Sequence, residues 1–149
     1  MKRTTIVFLV KADQILLAMK KRGHGVGIWN GVGGKLNDGE TSKQSAIREA
    51  KEEVGVTPIS LKEVGKIEFI FPPERNIDHT STVYLCDKWE GEPIETEEMR
   101  PQWFEVDKVP YDEMWESDAT WLPKVLEGKK IKARVVSGRD NELVSYEEL

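Results

Sequence analysis

Cysteine is nearly absent from this chain, which has one cysteine among its 149 residues. A single thiol cannot form an intrachain disulfide, so the sequence does not predict a disulfide-stabilised secreted scaffold, and Cys86 is expected to be a buried core thiol. Long apolar runs are also absent, and none reaches the length that crosses a membrane. The apolar N-terminal stretch is broken by Lys11 and Asp13 and lacks a small-residue cleavage site, so it predicts a first β-strand rather than a signal peptide. We therefore expect a cytoplasmic protein without membrane contact.

Positive charge is in short supply, because 22 lysines and arginines face 27 aspartates and glutamates and give a formal net charge of −5. That balance argues against a general basic field that would bind a nucleic acid polymer, but it is compatible with a small nucleotide complexed with Mg²⁺ as the partner. The length is that of one domain, residues 1–149, which can bury roughly two thirds of its unfolded surface. We expect a monomer, with a dimer as the alternative.

Apolar and β-branched runs predict a chain in which strands predominate. The predicted strands cover residues 4–10, 15–19, 59–71, 80–86, 103–106, 131–136 and 142–146. One helix is predicted between Thr41 and Gly55. A second helix is predicted over 119–126, with an interruption near Pro123 because proline is poorly tolerated inside helices. This order predicts an α+β fold.

Three glutamates stand close together within the first predicted helix. Glu49, Glu52 and Glu53 are spaced at i, i+3 and i+4, which places their carboxylates on one narrow arc. Like charges at this spacing repel each other, so the group either faces open solvent or is neutralised by a cation. On spacing alone, the solvated alternative is the more common.

The ends of this helix are well defined, which favours the cation. Thr41 and Gln44 form a capping-box pattern, and Gly55 stands where a left-handed C-terminal cap is expected. An apolar arc beside the glutamates is expected to be buried, and it consists of Ala46, Ile47, Ala50 and Val54. A helix anchored in the core in this way holds acids at fixed positions, as a metal site requires.

The stretch from Gly34 to Val56 follows the pattern Gly-x5-Glu-x7-Arg-Glu-U-x-Glu-Glu-x-Gly-U, in which U is an apolar residue. The fixed positions of the pattern are Gly34, Glu40, Arg48, Glu49, Glu52, Glu53 and Gly55. That many fixed matches arise by chance on the order of 10⁻⁸ per window. The pattern resembles the Nudix box, with one departure: Ala50 is smaller than the usual leucine, isoleucine or valine.

The resemblance implies a Nudix fold, a mixed β-sheet sandwiched between α-helices, and an enzyme that hydrolyses a diphosphate linkage. It implies Mg²⁺ as the cofactor, with Mn²⁺ as the alternative, because such hard cations prefer oxygen ligands. The implied metal ligands are Gly33, Glu49, Glu52, Glu53 and Glu98, and the implied catalytic residues are Glu52, Glu53 and Glu98. Arg48 is implied to pair with Glu40 beside the site, and a helix-surface salt bridge to Glu52 is the alternative.

Segments outside the box extend the resemblance over nearly the whole chain. MKKRGHGVGIWNGVGGKL, EEMRPQWFEV and YDEMWESDATWLP are similar to the MutT-related oxidised-purine nucleoside triphosphatases of the animal type. That group implies hydrolysis of 8-oxo-dGTP or 2-hydroxy-dATP to the monophosphate and pyrophosphate, a reaction that cleans the nucleotide pool. Within it, Glu98 helps to bind metal or to activate water. The implied substrate-binding residues are Thr5, Lys20, Asn30, Phe69, Trp115 and Asp118.

Two positions depart from these relatives and leave the exact nucleotide open. Two neighbouring aspartates are expected in the base pocket, but this chain has Ser117 followed by Asp118, so proton sharing between two acids is lost. His24 replaces an aromatic residue near the pocket entrance. One alternative is a Nudix pyrophosphatase acting on ADP-ribose, a dinucleoside polyphosphate or a methylated nucleotide. Another is a non-catalytic Nudix module that binds a nucleotide.

Overall fold

The computed structural model describes residues 1–149 and contains eight strands and two α-helices. The strands are β1 (Lys2–Lys11), β2 (Gln14–Lys20), β3 (Trp29–Asn30), β4 (Thr57–Ile70), β5 (His79–Glu90), β6 (Met99–Glu105), β7 (Ile131–Ser137) and β8 (Leu143–Glu148). The helices are α1 (Ser42–Val54) and α2 (Asp118–Leu126). The α+β class predicted from the sequence is confirmed.

The strands form a mixed sheet in the order β3-β2-β1-β5-β4-β7-β8, and β6 pairs with β2. The central strand β1 runs parallel to β5, with Thr5 opposite Thr82, and β4 runs parallel to β7. The other pairs are antiparallel. No helix in the structure is both long and apolar enough to cross a membrane.

Each face of the sheet carries its own apolar cluster, because successive side chains of a strand point to opposite faces. Val7 and Leu9 of β1 lie in the cluster that includes the buried apolar residues of α1. Phe8 lies in the other cluster, where its ring is 6.2 Å from that of Trp121 in α2. A strand buried on both faces reads as a continuous apolar run, which explains the sequence of β1. The sheet therefore lies between the helices, as the resemblance implied.

The caps of α1 are as the sequence predicted. The Thr41 hydroxyl accepts from the Gln44 N–H, the Gln44 side chain accepts from the Thr41 N–H, and Gly55 closes the helix in the left-handed region with φ of 76°. The predicted burial of the apolar arc is wrong for one residue, because Ile47 is 38% exposed. Val54 points in nearly the same direction around the helix axis and is fully buried, so the exposure of Ile47 reflects its place along the helix, in the N-terminal half, rather than its angle.

Helix α2 also differs from expectation, because it continues through Pro123 without interruption. Proline in this position leaves the Ala119 carbonyl without its usual N–H donor, which is tolerated here in a helix of only nine residues. Trp121, Leu122 and Val125 are buried on the sheet, so tertiary packing holds the helix across the proline. The strand predicted over 103–106 begins earlier, at Met99, and ends at Glu105.

Candidate active site

A cavity of about 420 Å³ opens beside the N-terminal half of β1. All six residues that the resemblance implies for substrate binding line this cavity, although they come from β1, β2, β3, β4, the turn before α2 and the start of α2. They are Thr5, Lys20, Asn30, Phe69, Trp115 and Asp118. We call this space the base cavity. The structure thus brings the six residues together, and their roles in binding stay predictions.

Two polar atoms of the base cavity are buried and have no hydrogen-bond partner in the protein. They are Thr5 Oγ1 and Asp118 Oδ2, on side chains that are each 2% exposed. Burial raises the pKa of Asp118 to about 8, so its carboxyl is neutral at pH 7 and can both donate and accept. Asn30 Oδ1 accepts from the Gly31 N–H at 2.8 Å, and this leaves the Asn30 amide N–H groups for a ligand. Unpartnered buried polar groups are costly, so they indicate a ligand-binding surface.

Aromatic rings form the walls of the base cavity. Trp115 stacks on His24 with ring centroids 5.3 Å apart, and Phe71 meets the same histidine edge-on at 6.3 Å. On the neighbouring wall His79 stacks on Phe69 at 5.1 Å. Burial lowers the pKa of both histidines, so neutral imidazoles are favoured there. Flat walls of this kind suit a heteroaromatic base.

A second concavity lies next to the base cavity and has no apolar lining residue. Its volume is about 480 Å³, and its lining residues are Arg22, Glu49, Glu52, Glu53, Thr96, Glu97 and Glu98. We call it the acidic basin. Glu53 is the one residue that lines both the base cavity and the acidic basin. The two spaces therefore meet at a carboxylate.

The Arg48 guanidinium organises the acids of α1. It donates to Glu40 through Nε at 2.8 Å and Nη2 at 2.9 Å, and Nη1 reaches Glu49 at 2.8 Å and Glu52 at 3.2 Å. Nη2 also donates to the Lys35 carbonyl at 3.0 Å. Hydrogen bonds from Arg48 lower the pKa of Glu40 to about 2. Both alternatives left open by the sequence are therefore present together, because Arg48 pairs with Glu40 and with Glu52.

A glycine loop brings the backbone against these acids. Thr5 N–H donates to the Gly34 carbonyl at 2.9 Å, and Gly33 N–H donates to Glu53 Oε1 at 2.7 Å. A Cβ on Gly33 would lie 1.9 Å from the Thr5 carbonyl oxygen, and a Cβ on Gly34 would lie 2.8 Å from the Glu49 carboxylate. The backbone contact requires glycine at position 33, whereas a side chain at position 34 would displace the Glu49 carboxylate. Burial raises the pKa of Glu53 to about 8, which marks it as a carboxylate that lacks a neutralising charge.

The residues of the acidic basin fit a hard divalent cation. Six of its seven lining side chains offer oxygen ligands, the exception being Arg22, and the Gly34 approach keeps open the space beside Glu49 that a larger residue would fill. The protein alone does not gather three acidic or histidine side chains into a ready set of metal ligands. Instead Arg48 pairs with Glu49 and Glu52, and Arg22 pairs with Glu98 at 2.5 Å. Substrate phosphates would complete such a site, as Mg²⁺ sites commonly require.

Sequence reasoning missed several lining residues. Phe71 directly follows β4, two residues after Phe69, and the alternation predicted over 59–71 was a usable signal. His79 lies opposite Phe69 in the β4–β5 register, which no local pattern reveals. Thr96, whose hydroxyl donates to the Glu53 carbonyl at 2.7 Å, gave no signal either.

Comparison with known proteins gives consistent results. A family model described as the NUDIX domain matches residues 1–125. The oxidized purine nucleoside triphosphate hydrolase of Danio rerio is 46% identical over 129 residues, which cover 87% of this chain and 82% of that protein. The protein of the same name from Mus musculus is 40% identical over 144 residues, which cover 95% and 90%. The crystal structure of a MutT protein from Bacillus halodurans matches with a TM-score of 0.84 at 27% identity, over 99% of this chain and 97% of that one.

Proposed function

Because this chain belongs to the NUDIX family, we propose that it hydrolyses oxidised purine nucleoside triphosphates, with 8-oxo-dGTP as the favoured substrate. Water adds to a phosphorus atom and the bond to the bridging oxygen breaks, so that the products are the nucleoside monophosphate and pyrophosphate. The relatives from Danio rerio and Mus musculus carry this substrate class in their names.

The observation that carries the proposal is that Glu53 lines both the base cavity and the acidic basin. A flat base with its sugar needs an enclosed aromatic and polar space, and a triphosphate needs cations held by carboxylates. A molecule that fills both spaces at once is a nucleotide whose phosphate chain passes Glu53. Neither space alone would identify a nucleoside triphosphate.

Recognition of the base falls to groups that can donate and accept. Oxidation of guanine at C8 turns N7 from an acceptor into an N–H donor and adds a carbonyl acceptor. Thr5 and neutral Asp118 each offer both functions, and each has a buried oxygen without a partner. The rings of Phe69 and Trp115 supply stacking surfaces. Binding an ordinary purine would leave buried polar groups imperfectly paired, which is how such sites reject analogues.

Members of this family generally require a divalent metal ion, and we propose Mg²⁺. Glu49, Glu52, Glu53 and Glu98 would hold it through carboxylate oxygens, and Gly33 offers its backbone carbonyl. Bound there, the ion would polarise the phosphoryl oxygens and offset the repulsion among the acids. The chain's own contribution is to fix these carboxylates: Arg48 orients Glu49 and Glu52, and the Gly33 N–H orients Glu53.

Two carboxylates are candidates for the general base that takes the proton of the attacking water. Glu53 is oriented by the Gly33 N–H and lies where the two spaces meet. Glu98 lines the acidic basin only, is more exposed, and accepts a hydrogen bond from Arg22. The pH–rate profiles of Glu53→Gln and Glu98→Gln separate the two: loss of the basic residue removes the acidic limb of the profile.

The test of the function is release of the nucleoside monophosphate from a panel of nucleotides in Mg²⁺, because this product forms both from a triphosphate and from ADP-ribose. The panel contains 8-oxo-dGTP, 2-hydroxy-dATP, dGTP, dATP and ADP-ribose. We expect 8-oxo-dGTP to have the highest kcat/KM. A rate on oxidised purines no better than on dGTP would refute the preference for damaged nucleotides, and binding without turnover would indicate a nucleotide sensor.

The choice between oxidised guanine and oxidised adenine is tested at Ser117, which is 3% exposed and lines the base cavity beside Asp118. We expect Ser117→Asp to raise activity on 2-hydroxy-dATP relative to 8-oxo-dGTP, because two adjacent buried acids can share a proton and present either tautomer. An unchanged ratio would remove Ser117 from the explanation of specificity.

A further inference from the structure

The acidic basin contains one basic side chain among its lining residues, that of Arg22. The other nearby arginine, Arg48, is already engaged by three glutamates and a backbone carbonyl. A triphosphate in the basin would meet five glutamates, and those carboxylates repel it wherever they are not covered by cations. Arg22 is therefore the protein group of this basin that can attract a phosphate.

The backbone that carries Arg22 is held firmly against the opposite side of the basin. The N–H of the preceding residue, Lys21, donates to the Glu98 carbonyl at 2.9 Å. The Lys21 ammonium donates to Glu95 at 2.7 Å and to the Thr96 carbonyl at 2.8 Å. These contacts fix the backbone next to Arg22 at the rim of the basin. The glycine-rich loop begins only at the following residue.

The guanidinium itself has spare capacity. Its side chain is 60% exposed and makes one contact, from Nη2 to Glu98 Oε1 at 2.5 Å. A guanidinium carries five N–H donors in a planar fork, and this geometry matches two phosphate oxygens at once. Since Glu98 is also a proposed metal ligand, a cation that engages its carboxylate competes directly with Arg22 for it. Arg22 can therefore exchange its hydrogen bond to Glu98 for one to a substrate phosphate within the acidic basin.

We propose that Arg22 is a binding residue for the β- and γ-phosphates of the substrate. In the free protein the guanidinium is hydrogen-bonded to Glu98. In the complex it instead donates to the phosphate chain, and the Glu98 carboxylate becomes available to the metal ion. The inference rests on the proposed function and names a residue of the same site. It predicts that Arg22 distinguishes a triphosphate from a monophosphate, because the monophosphate lacks the groups that Arg22 contacts.

Titration calorimetry tests this without turnover, with Mg²⁺ present and two ligands compared. One is a dGTP analogue with a methylene bridge between the α- and β-phosphorus atoms, and the other is dGMP. We expect Arg22→Gln to weaken the triphosphate analogue about 10- to 100-fold, the range for charge-assisted hydrogen bonds, and to change dGMP affinity less than about twofold. Arg22→Lys keeps a point charge and should lie between wild type and Arg22→Gln.

A second readout separates phosphate binding from mere positioning of Glu98. Mn²⁺ affinity of the nucleotide-free protein should be unchanged or higher in Arg22→Gln, because a competitor for Glu98 is gone. Weaker Mn²⁺ binding, an equal loss for both nucleotides, or no loss for either would overturn the inference. Arg139→Gln is the matched control, since Arg139 is an exposed arginine with one ion pair, to Glu74, outside both spaces. The comparison uses undamaged guanine, so it stands even if the preference for oxidised purines fails.

Discussion

Asp118 provides a direct test of the base cavity through stability alone. Its carboxyl is 2% exposed, and burial raises its pKa to about 8 from an unfolded value of about 3.9. Between these two values the unfolded chain releases the proton that the folded chain keeps. The folded state therefore binds more protons, and stability falls as the pH rises from about 4 to about 8.

The magnitude follows from the width of that window. Each unit of pKa difference corresponds to about 1.36 kcal/mol, so the cost of Asp118 increases by about 4 kcal/mol between pH 5 and pH 8. Asp118→Asn keeps the shape of the side chain and removes its titration. We expect the variant to gain stability relative to wild type across this range, by an amount that approaches the same value at pH 8.

Urea denaturation at pH 5, 6, 7 and 8, followed by tryptophan fluorescence, measures the difference. The matched control is Asp112→Asn, because Asp112 is an exposed aspartate in the same segment of the chain. A difference between Asp118→Asn and wild type that stays constant within about 0.5 kcal/mol from pH 5 to pH 8 would refute the reasoning. In the functional counterpart, wild-type affinity for 8-oxo-dGTP should fall above about pH 8, where Asp118 ionises.

Three further changes test the rest of the site. Glu52→Gln should lower the rate of pyrophosphate release at least about 100-fold with little change in the unfolding midpoint, because its side chain is 57% exposed; a near-normal rate would reject its proposed ligand role. Gly33→Ala should lower the free energy of unfolding by about 1–3 kcal/mol, measured in urea, because its Cβ would lie 1.9 Å from the Thr5 carbonyl oxygen; wild-type stability would show that the loop can move. Thr5→Val should raise the free energy of unfolding by about 1 kcal/mol and weaken nucleotide binding, since it removes a buried hydroxyl without a partner; unchanged affinity would exclude Thr5 from base recognition.

Local signals in the sequence predicted most of the secondary structure. The capping box at Thr41 and the glycine cap at Gly55 depend on residues a few positions apart, and both are present in the structure. The course of α2 through Pro123 could not be read locally, because it depends on packing against the sheet. The exposure of Ile47 could not be predicted locally either, because an apolar residue next to a buried arc need not itself be buried.

The acidic residues of the candidate site could be predicted from the sequence through the resemblance to the Nudix family. The resemblance named Glu49, Glu52, Glu53 and Glu98, and the structure places them around one basin. Contacts between residues far apart in sequence were not predictable, because they arise only when separate loops meet. The stacking of His24 on Trp115 and the ion pair between Arg22 and Glu98 are of this kind.

The position of Glu53 between two spaces has a consequence for which bond breaks. Glu53 is fixed by α1 and by the Gly33 N–H, while Asp118 is fixed at the start of α2, so the separation of these two carboxyl groups is a constant of the fold. A nucleoside held at Asp118 then spans a set length, and its own size decides which phosphorus atom reaches the acids. If the nucleoside binds at Asp118 as proposed, regioselectivity depends on molecular length. A substrate with a shorter sugar or base should then be cleaved one anhydride bond farther from the nucleoside, between the β- and γ-phosphorus atoms.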